Sequence, residues 1–362
     1  MNFFSKDKTT AFEAKEAAQW IAFGPVIFQA ARTLRNSGIL NFIEDSGTTG
    51  LTLEEVAVKA RLPLYGVRVL LESGLSMKLV LVNNSRYTLS KTGYFILHDP
   101  LTKVNMDFVH DVCYKGLFEL DNSIKNGKPE GLKEFGEWKT IYEGLSQLPE
   151  HVQESWFNFD HFFSDNAFPL VLPQVYNNGV KKLLDIGGNT GKWATISAQY
   201  SPEITITIMD LPGQLDIAKR KMEELNLTDR ISFLPVNILD ETVKFPTGFD
   251  AIWMSQFLDC FSENEIVSIL KRCHEALDEN GVVMILEPFW DRQRFEIAAF
   301  CLHQTSLYFT ALANGTSQMY SAETFFSCID RAGFDIVEQV DNIGLSQTLL
   351  KCKKRVNRPD HN

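Results

Sequence analysis

The sequence predicts an α/β protein with a mainly helical N-terminal region, and two observations lead to this prediction. From residue 180 onward, short apolar strand candidates alternate with segments able to form helices, which is typical of a parallel sheet. Before residue 100, apolar residues recur at helical spacing and end in a hairpin pattern. The length of 362 residues favours two domains, because one domain commonly has roughly 100–200 residues.

The N-terminal helices are predicted from periodicity and from one capping signal. Apolar residues recur at helix-like intervals between Phe23 and Ile43. Thr52 and Glu55 have the three-residue spacing of a capping box, which marks the first turn of a helix. A further helix is expected to start after Pro63, because proline is well tolerated at a helix start.

A small β-wing is predicted directly after these helices. The apolar segments 79–82 and 87–89 flank the polar turn 83–86. Helices followed by such a hairpin form a winged-helix pattern. The second short helix contains only one basic residue, Arg68, whereas DNA-binding winged helices normally carry several. We therefore expect this region to pack against another subunit rather than to bind DNA.

Charge, cysteines and hydropathy exclude several kinds of partner. The formal net charge of −11 argues against nucleic acid, whose phosphates require Lys and Arg. The six cysteines form no CxxC pair and no cluster at zinc-ligand spacing, so reduced thiols and no metal are expected. The sequence has no signal-peptide run and no stretch of roughly 18 apolar residues. We expect a cytoplasmic protein without a membrane partner.

The two regions are joined by a segment, 101–178, that predicts a helical connector. Its last part, 154–175, is dense in aromatic residues, including Phe159 and Phe163. A buried helix and a helix that covers a ligand both explain this density, and the two interpretations are compatible.

The parallel sheet is predicted from five apolar segments. They are followed by two further segments near the C-terminus that predict an antiparallel pair. The parallel candidates are 182–186, 205–209, 231–234, 251–255 and 282–286, and the final pair is 334–338 and 348–351.

Two acidic residues at strand ends identify the expected ligand. In an open parallel sheet, ligands bind beyond the carboxyl ends of the strands. Asp185 begins a glycine-rich turn after the first strand, and Asp210 ends the second, where it could accept both ribose hydroxyls of an adenosine. A carboxylate at the position of Asp185 repels a pyrophosphate but suits an ammonium group, which S-adenosylmethionine carries without any phosphate. The alternative is that Asp185 only organises the loop.

With these motifs the chain resembles the small-molecule O-methyltransferases of the plant caffeate type and their bacterial relatives. The resemblance spans most of the chain and rests on residues 184–191, on Asp210-Leu211-Pro212 and on the order of the elements. It implies a homodimer with a Rossmann-like class I methyltransferase domain, whose seven-stranded sheet is parallel except for an antiparallel final strand. The implied boundaries are a winged-helix dimerisation domain at 1–105, a connector contributing to the active site at 106–178, the methyltransferase domain at 179–355 and a polar tail at 356–362.

The resemblance also implies the residues that bind S-adenosyl-L-methionine. Three of them depart from the family pattern: Asn189 replaces a glycine, Asn237 replaces an acid and Phe261 replaces a tryptophan. Asparagine tolerates positive φ, and its amide can still hydrogen-bond an adenine. The expected residues are Asp185, Gly187, Gly188, Asn189, Gly191, Asp210, Leu211, Asn237, Ile238, Ser255 and Phe261.

The catalytic residues depart further from the family. Asp259 stands where the plant-type enzymes have a catalytic histidine, and Glu287 matches one of the two acids that flank it. Asp259 could act as a base if an apolar pocket raises its pKa, or it could cap the helix predicted at 263–276. For the acceptor, the resemblance and the aromatic connector point to Phe159, Phe163, Thr310 and Asn314.

The predicted function is methyl transfer from S-adenosylmethionine to a small aromatic or polyketide-like molecule, at a hydroxyl group. Because the histidine is missing, methylation of an electron-rich phenol ring carbon is the first alternative. A non-catalytic winged-helix ligand sensor is the second.

Overall fold

The computed structural model describes residues 3–177 and 179–355, so the polar tail expected at 356–362 lies outside the described residues. The chain forms two compact units, one from Phe4 to Val109 and one from His110 onward. Within the two described ranges, no helix combines the length and the apolar character that crossing a bilayer requires.

The first unit is helical with one small hairpin. Thr52 caps α4, because its side chain accepts the N–H of Glu55 while the Glu55 carboxylate accepts the N–H of Thr52, which confirms the predicted capping box. The wing strands pair antiparallel, and Leu51 bridges to Tyr87. The elements are α1 (Ala11–Ala22), α2 (Gly24–Asn36), α3 (Ile39–Asp45), α4 (Leu53–Ala60), α5 (Leu64–Ser76), β1 (Val80–Asn83), β2 (Arg86–Leu89), α6 (Lys91–His98) and α7 (Pro100–Phe108).

The second unit contains the large sheet and the helices that surround it. Its helices are α8 (Leu120–Asn126), α9 (Ile141–Gly144), α10 (Glu150–Tyr176), α11 (Lys192–Tyr200), α12 (Pro212–Glu224), α13 (Glu263–Ala276), α14 (Glu296–Tyr308) and α15 (Ala322–Arg331). Its strands are β3 (Lys182–Ile186), β4 (Thr205–Asp210), β5 (Ile231–Pro235), β6 (Ala251–Ser255), β7 (Val282–Pro288), β8 (Phe334–Ile343) and β9 (Gln347–Lys354).

The sheet has the strand order β5-β4-β3-β6-β7-β9-β8. Strands β3 to β7 are parallel, and β9 runs antiparallel to both of its neighbours, so the predicted seven-stranded sheet with an antiparallel final strand is confirmed. The chain order reverses between β3 and β6. Loops that leave the carboxyl ends of these two strands therefore diverge, and the crevice between them is where open α/β sheets bind ligands.

Both faces of the sheet are buried, as expected for parallel strands. Leu183 packs in a cluster with residues of α10 and α11, whereas Leu184 packs in a second cluster with residues of α13 and α15. Adjacent residues of a strand point to opposite faces, so one apolar segment supplies two cores. Trp193 of α11 stacks on Trp253 of β6 with ring centroids 4.2 Å apart, which fixes that helix on the sheet.

Helix α13, which follows β6 in the chain, is capped by Ser262 and not by Asp259. The Ser262 side chain accepts the N–H of Glu265, and the Glu265 carboxylate accepts the N–H of Ser262 at 2.8 Å. Asp259 lies earlier, in the 3-10 turn Leu258–Cys260. An N-cap must adjoin the first helical residue to reach the free N–H groups. The interpretation of Asp259 as the cap of α13 is therefore wrong.

Candidate active site

A cavity of about 220 Å³ lies at the carboxyl ends of β3, β4, β5 and β6. One wall consists of residues from α10, and the opposite wall of the loops that follow the strands. The predicted cofactor residues that line it are Asp185, Gly187, Gly188, Asn189, Asp210, Leu211, Asn237, Ile238, Ser255 and Phe261. The structure thus brings together ten residues from five segments of sequence around one space.

The glycine-rich turn after β3 has no room for side chains. Gly187 has φ +76°, and a Cβ on it would lie 2.1 Å from Cδ2 of Phe257. A Cβ on Gly188 would lie 2.6 Å from Oδ2 of Asp185. Asn189 adopts φ +50°, the left-handed conformation that asparagine tolerates. The backbone of this turn can therefore approach a ligand closely.

Gly191, predicted as part of the cofactor site, lies beside the cavity rather than on its wall. It precedes α11 with φ +76°, and a Cβ on it would contact Met222 and Ala218 of α12. Its small size lets α11 and α12 approach each other. Any contact of Gly191 with a ligand remains a prediction.

Asp210 ties two ligand loops together. Its Oδ2 accepts the N–H of Asn189 at 2.8 Å, and its Oδ1 accepts the N–H of Leu211 at 2.6 Å. Burial raises the pKa of this carboxyl to about 6, and the two hydrogen bonds oppose that rise. The loop after β3 is thereby fixed relative to the loop after β4.

Asp185 is the buried group of the cavity that most clearly requires a ligand. It is almost fully buried, and its Oδ2 has no hydrogen-bond partner among the residues that the structure describes. Burial, and next the charge of Asp210, raise the pKa of Asp185 well above its usual range. A buried carboxylate oxygen without a partner is costly unless a donor or a cation meets it. This chemistry fits the ammonium group expected from the sequence.

The loop after β5 is held by a residue that the sequence did not indicate. Arg272 of α13 donates to the carbonyl of Ile238 at 2.6 Å and to that of Asp240 at 3.1 Å. Oδ1 of Asn237 accepts the N–H of Leu239 at 3.0 Å, so this side chain also shapes its own loop. An arginine 34 residues from its partner gives no local signal in the sequence.

The predicted catalytic pair lies behind the cavity wall. Asp259 and Glu287 are both buried, and neither lines the cavity. Oε1 of Glu287 accepts the N–H groups of Phe257 and Leu258 at 2.9 and 2.8 Å. Burial raises the pKa of Asp259 to about 6, and burial together with Asp259 raises that of Glu287 further. In this arrangement the pair supports the turn after β6, and a direct catalytic role stays a prediction.

Of the four predicted acceptor residues, only Asn314 lines the cavity. Its Nδ2 donates to the carbonyl of Cys260 at 2.6 Å, and its Oδ1 accepts from Ser317. Phe159 and Phe163 pack edge to face against each other, with centroids 5.3 Å apart, on a neighbouring face of α10. Thr310 donates to the carbonyl of Ser306 at 3.0 Å.

His161 of α10, a residue type able to act as a base, lines the cavity, whereas four further cavity-facing residues of this helix were not predicted as site residues. Trp156, Asp160, Ser164 and Phe168 recur every four residues and all line the cavity. This spacing places them on one face of a helix, so the pattern was available in the sequence. What the sequence could not supply was the rotation of α10 about its axis, because aromatic residues occur on several of its faces.

Two family models match this chain: the Dimerisation2-like domain over residues 15–87 and the O-methyltransferase domain over residues 166–335. The L-tyrosine C(3)-methyltransferase of Streptomyces lavendulae is 25% identical over 324 residues, which are 88% of this chain and 87% of that protein.

Solved structures share the fold of both units. The S-adenosylmethionine-dependent methyltransferase SibL, in its apo form, matches with a TM-score of 0.70 at 24% identity, covering 94% of this chain and 99% of that one. The mitomycin 7-O-methyltransferase MmcR matches with a TM-score of 0.73 at 16% identity, covering 94% and 98%.

Proposed function

We infer that this chain, which belongs to the family of S-adenosylmethionine-dependent small-molecule methyltransferases, methylates a hydroxyl group of a small aromatic or polyketide-like acceptor. The observation that carries the proposal is the buried carboxylate oxygen of Asp185 beside the glycine-rich turn, which has no hydrogen-bond partner within the described part of the chain. When bound, S-adenosyl-L-methionine supplies a methyl group on a positively charged sulfur.

The residues of the cavity have distinct roles in holding the donor. Asp185 meets the ammonium group, and Asp210 accepts from the ribose hydroxyls. Gly187 and Gly188 let the backbone approach, and Phe261 packs against the adenine. The charges support these roles, since two neighbouring acidic side chains, the buried Asp185 and the half-buried Asp210, favour a cationic ligand.

In this proposal, much of the acceleration of methyl transfer comes from holding the acceptor and the methyl group in position. Methyl transfer from a sulfonium to a neutral nucleophile moves charge without creating it, so holding the two reacting atoms in line lowers the barrier substantially. The packed walls of the cavity, built from the sheet, α10 and the loop at Asn314, provide such a rigid frame.

Methylation of a ring carbon is the second candidate. The L-tyrosine C(3)-methyltransferase, whose name gives a carbon as its acceptor, aligns with 88% of this chain. Such a reaction removes the ring proton only after the carbon–carbon bond forms. Ring-carbon methylation therefore depends less than hydroxyl methylation on a histidine at position 259, where this chain has aspartate.

Donor binding is tested by calorimetric titration with S-adenosylhomocysteine. We expect binding to the wild type and a loss of at least tenfold in affinity for Asp210→Ala, because the variant lacks the acceptor for the ribose hydroxyls. Asp229→Ala, which changes an exposed aspartate, serves as the control. Absence of binding to the wild type would overturn the proposal.

The acceptor atom is tested with phenols and mass spectrometry. Ring-deuterated L-tyrosine and 1,4-dihydroxy-2-naphthoate are each incubated with the protein and the methyl donor. A gain of one methyl group with all ring deuterium retained supports the hydroxyl, and loss of one deuterium identifies the ring carbon. The better of these two acceptors then serves for kinetics.

We further propose that the protein is a cytoplasmic homodimer whose first unit, Phe4–Val109, provides the interface. The match to the Dimerisation2-like domain supports this, as do the exposed apolar residues Phe12, Trp20 and Phe23. All six cysteines are free thiols, which suits a reducing compartment. Light scattering should give twice the chain mass, and Trp20→Asp combined with Phe23→Asp should shift it towards the monomer.

A further inference from the structure

One face of α10 crosses the cavity from one end to the other. Near its start, Trp156 donates its indole N–H to the hydroxyl of Tyr308, on α14, at 2.8 Å. Near its end, Phe168 packs edge to face on Trp193 of α11, with centroids 5.1 Å apart. Asp160 lies between these two contacts, one turn after Trp156. It lines the same wall of the cavity as Trp156 and Phe168.

The loop after β6 hydrogen-bonds Asp160, because Nε2 of Gln256 donates to the carbonyl and to Oδ1 of Asp160 at 3.3 and 3.4 Å. Asn189, in the loop after β3, lines the same cavity and lowers the pKa of the Asp160 carboxyl. Gln256 and Asn189 have φ +49° and +50°, so both loops turn through left-handed residues at this point. Such strained backbone is concentrated at functional sites.

A buried glutamine orients this contact. Nε2 of Gln347, at the start of β9, donates to Oε1 of Gln256 at 2.7 Å. Since the amide oxygen of Gln256 is occupied in this way, its NH₂ group is the part that faces Asp160. The carboxylate is thus held by a chain of two amides that begins in the sheet.

The charged and titratable groups around Asp160 favour proton transfer near neutral pH. Burial raises the pKa of Asp160 to about 7; Asp259 and Asp165 add to that rise, and Lys192 and Asn189 oppose it. His161, the next residue of α10, has its pKa lowered to about 4 by burial and by Lys192, so it is a weak base. On α14, burial raises the pKa of Tyr308. An effective general base has a pKa near the working pH, and unlike Asp259, whose pKa is also raised, Asp160 lines the cavity.

We propose that Asp160, rather than Asp259, is the catalytic base that takes the proton of the acceptor. This rests on the proposed function. The acceptor oxygen forms a bond to the methyl carbon, the electron pair of the broken carbon–sulfur bond stays on the sulfur, and the O–H proton passes to the Asp160 carboxylate and then to water. For a ring-carbon acceptor, the same carboxylate takes the C–H proton. Asp259 is separated from the acceptor because it lies outside the cavity wall.

The first test compares the isosteric variant Asp160→Asn with Asp259→Asn, using the better acceptor from the phenol assay. We expect Asp160→Asn to lower kcat by about 10²–10⁴-fold, the usual contribution of a general base. We expect the wild-type pH profile to have an acid limb near pH 7, which Asp160→Asn should remove, while S-adenosylhomocysteine should bind within about threefold of wild type. Asp160→Glu should regain part of the rate. Glu154→Gln, an exposed acid on the same helix, is the control.

A second test needs no turnover. 4-Nitrophenol, whose anion is coloured, is titrated with pH in the complex with S-adenosylhomocysteine. In the wild type its pKa should rise above the value in water, because a second negative charge beside Asp160 is unfavourable. In Asp160→Asn this rise should be smaller. Burial in the pocket by itself also raises the pKa of a phenol, so the comparison with a variant at position 160 is decisive, and Asp160→Ser replaces Asp160→Asn should the latter fail to fold.

The outcomes separate the two proposals. If S-adenosylhomocysteine does not bind, the proposed function fails. If it binds and methyl transfer proceeds, but Asp160→Asn keeps the rate and the acid limb, only the assignment of Asp160 is overturned. The assignment of Asp160 is also overturned if Asp259→Asn, instead of Asp160→Asn, loses the rate and the acid limb. It is overturned as well if bound 4-nitrophenol has the same pKa in the wild type and in Asp160→Asn.

Discussion

Oε1 of Glu287, at the end of β7, accepts the backbone N–H of Leu258, in the turn after β6, at 2.8 Å. The same oxygen accepts the N–H of Phe257 at 2.9 Å. The turn after β6 has no neighbouring strand to accept its backbone N–H groups. The Glu287 carboxylate supplies the acceptor for two of them. Glu287 therefore has a structural role, which is to support the backbone of the turn after β6, whatever part it takes in chemistry on a ligand.

Glu287→Ala should therefore lower the free energy of unfolding by about 2 kcal/mol, since two N–H groups lose their acceptor. Glu287→Gln should be close to wild type, because its amide oxygen can still accept and the raised pKa of Glu287 already favours a neutral side chain. Urea unfolding measures both variants, with the exposed Glu224→Ala as control. An alanine variant as stable as wild type would contradict the structural role.

The gathering of the proposed donor residues around one cavity could be predicted from the sequence, because these residues follow strands that the sequence itself defines. The strands β3 and β6 have the predicted bounds 182–186 and 251–255. Asp185 and Asp210 lie at strand ends, and these positions do not depend on how the helices pack. A parallel sheet brings such ends to one edge, so chain-local patterns suffice.

The acceptor side could not be predicted in the same way. Asp160 and Gln256 are 96 residues apart, and their contact depends on the rotation of α10 and on the left-handed turn at Gln256. Asp259 was expected on the cavity wall by alignment. The 3-10 turn Leu258–Cys260 instead buries it against Glu287, and a sequence pattern does not specify where a side chain points in such a turn.

Gly187→Ala tests the close approach of the glycine-rich turn to Phe257. The new Cβ would lie 2.1 Å from the Phe257 ring, on a residue with φ +76°. We expect a loss of about 3 kcal/mol, from backbone strain and overpacking together, and weaker binding of S-adenosylhomocysteine. Urea unfolding and calorimetry measure the two effects.

Gly66→Ala is the matched control for this substitution. Gly66 lies within α5, and a Cβ on it meets nothing within 4 Å. Alanine there should stabilise the protein by about 0.5–1 kcal/mol, because it reduces the entropy of the unfolded chain. If both variants behave alike, the crowding at Gly187 does not matter.

Asn189 permits a separation of backbone and side-chain effects. It adopts φ +50° at the position where the related family usually has glycine. Asn189→Gly should keep the stability within about 0.5 kcal/mol of wild type, whereas Asn189→Ala should lose about 1 kcal/mol more than the glycine variant. Both variants lack the amide, so their difference in urea unfolding isolates the backbone preference. Equal stabilities would indicate that the turn relaxes.

The pH dependence of ligand binding tests the role of Asp185. In the free protein its pKa is raised well above the usual range, so the carboxyl holds a proton up to that raised pKa. An ammonium group favours the carboxylate, and binding must then release the proton. The affinity for S-adenosylhomocysteine should accordingly rise with pH, by up to about tenfold per pH unit, and level off above the raised pKa.

Calorimetry in buffers of different ionisation enthalpy measures the released proton directly. Asp185→Asn should lower the affinity at least tenfold and keep only a slope below about pH 6, because Asp210, with a pKa of about 6, also titrates there. Adenosine provides the control ligand, since it contacts Asp210 in this proposal but has no ammonium group. In both the wild type and Asp185→Asn, the affinity for adenosine should change with pH only where Asp210 titrates, below about pH 6. An equal pH dependence for adenosine and S-adenosylhomocysteine in the wild type would mean that Asp185 meets something other than the ammonium group.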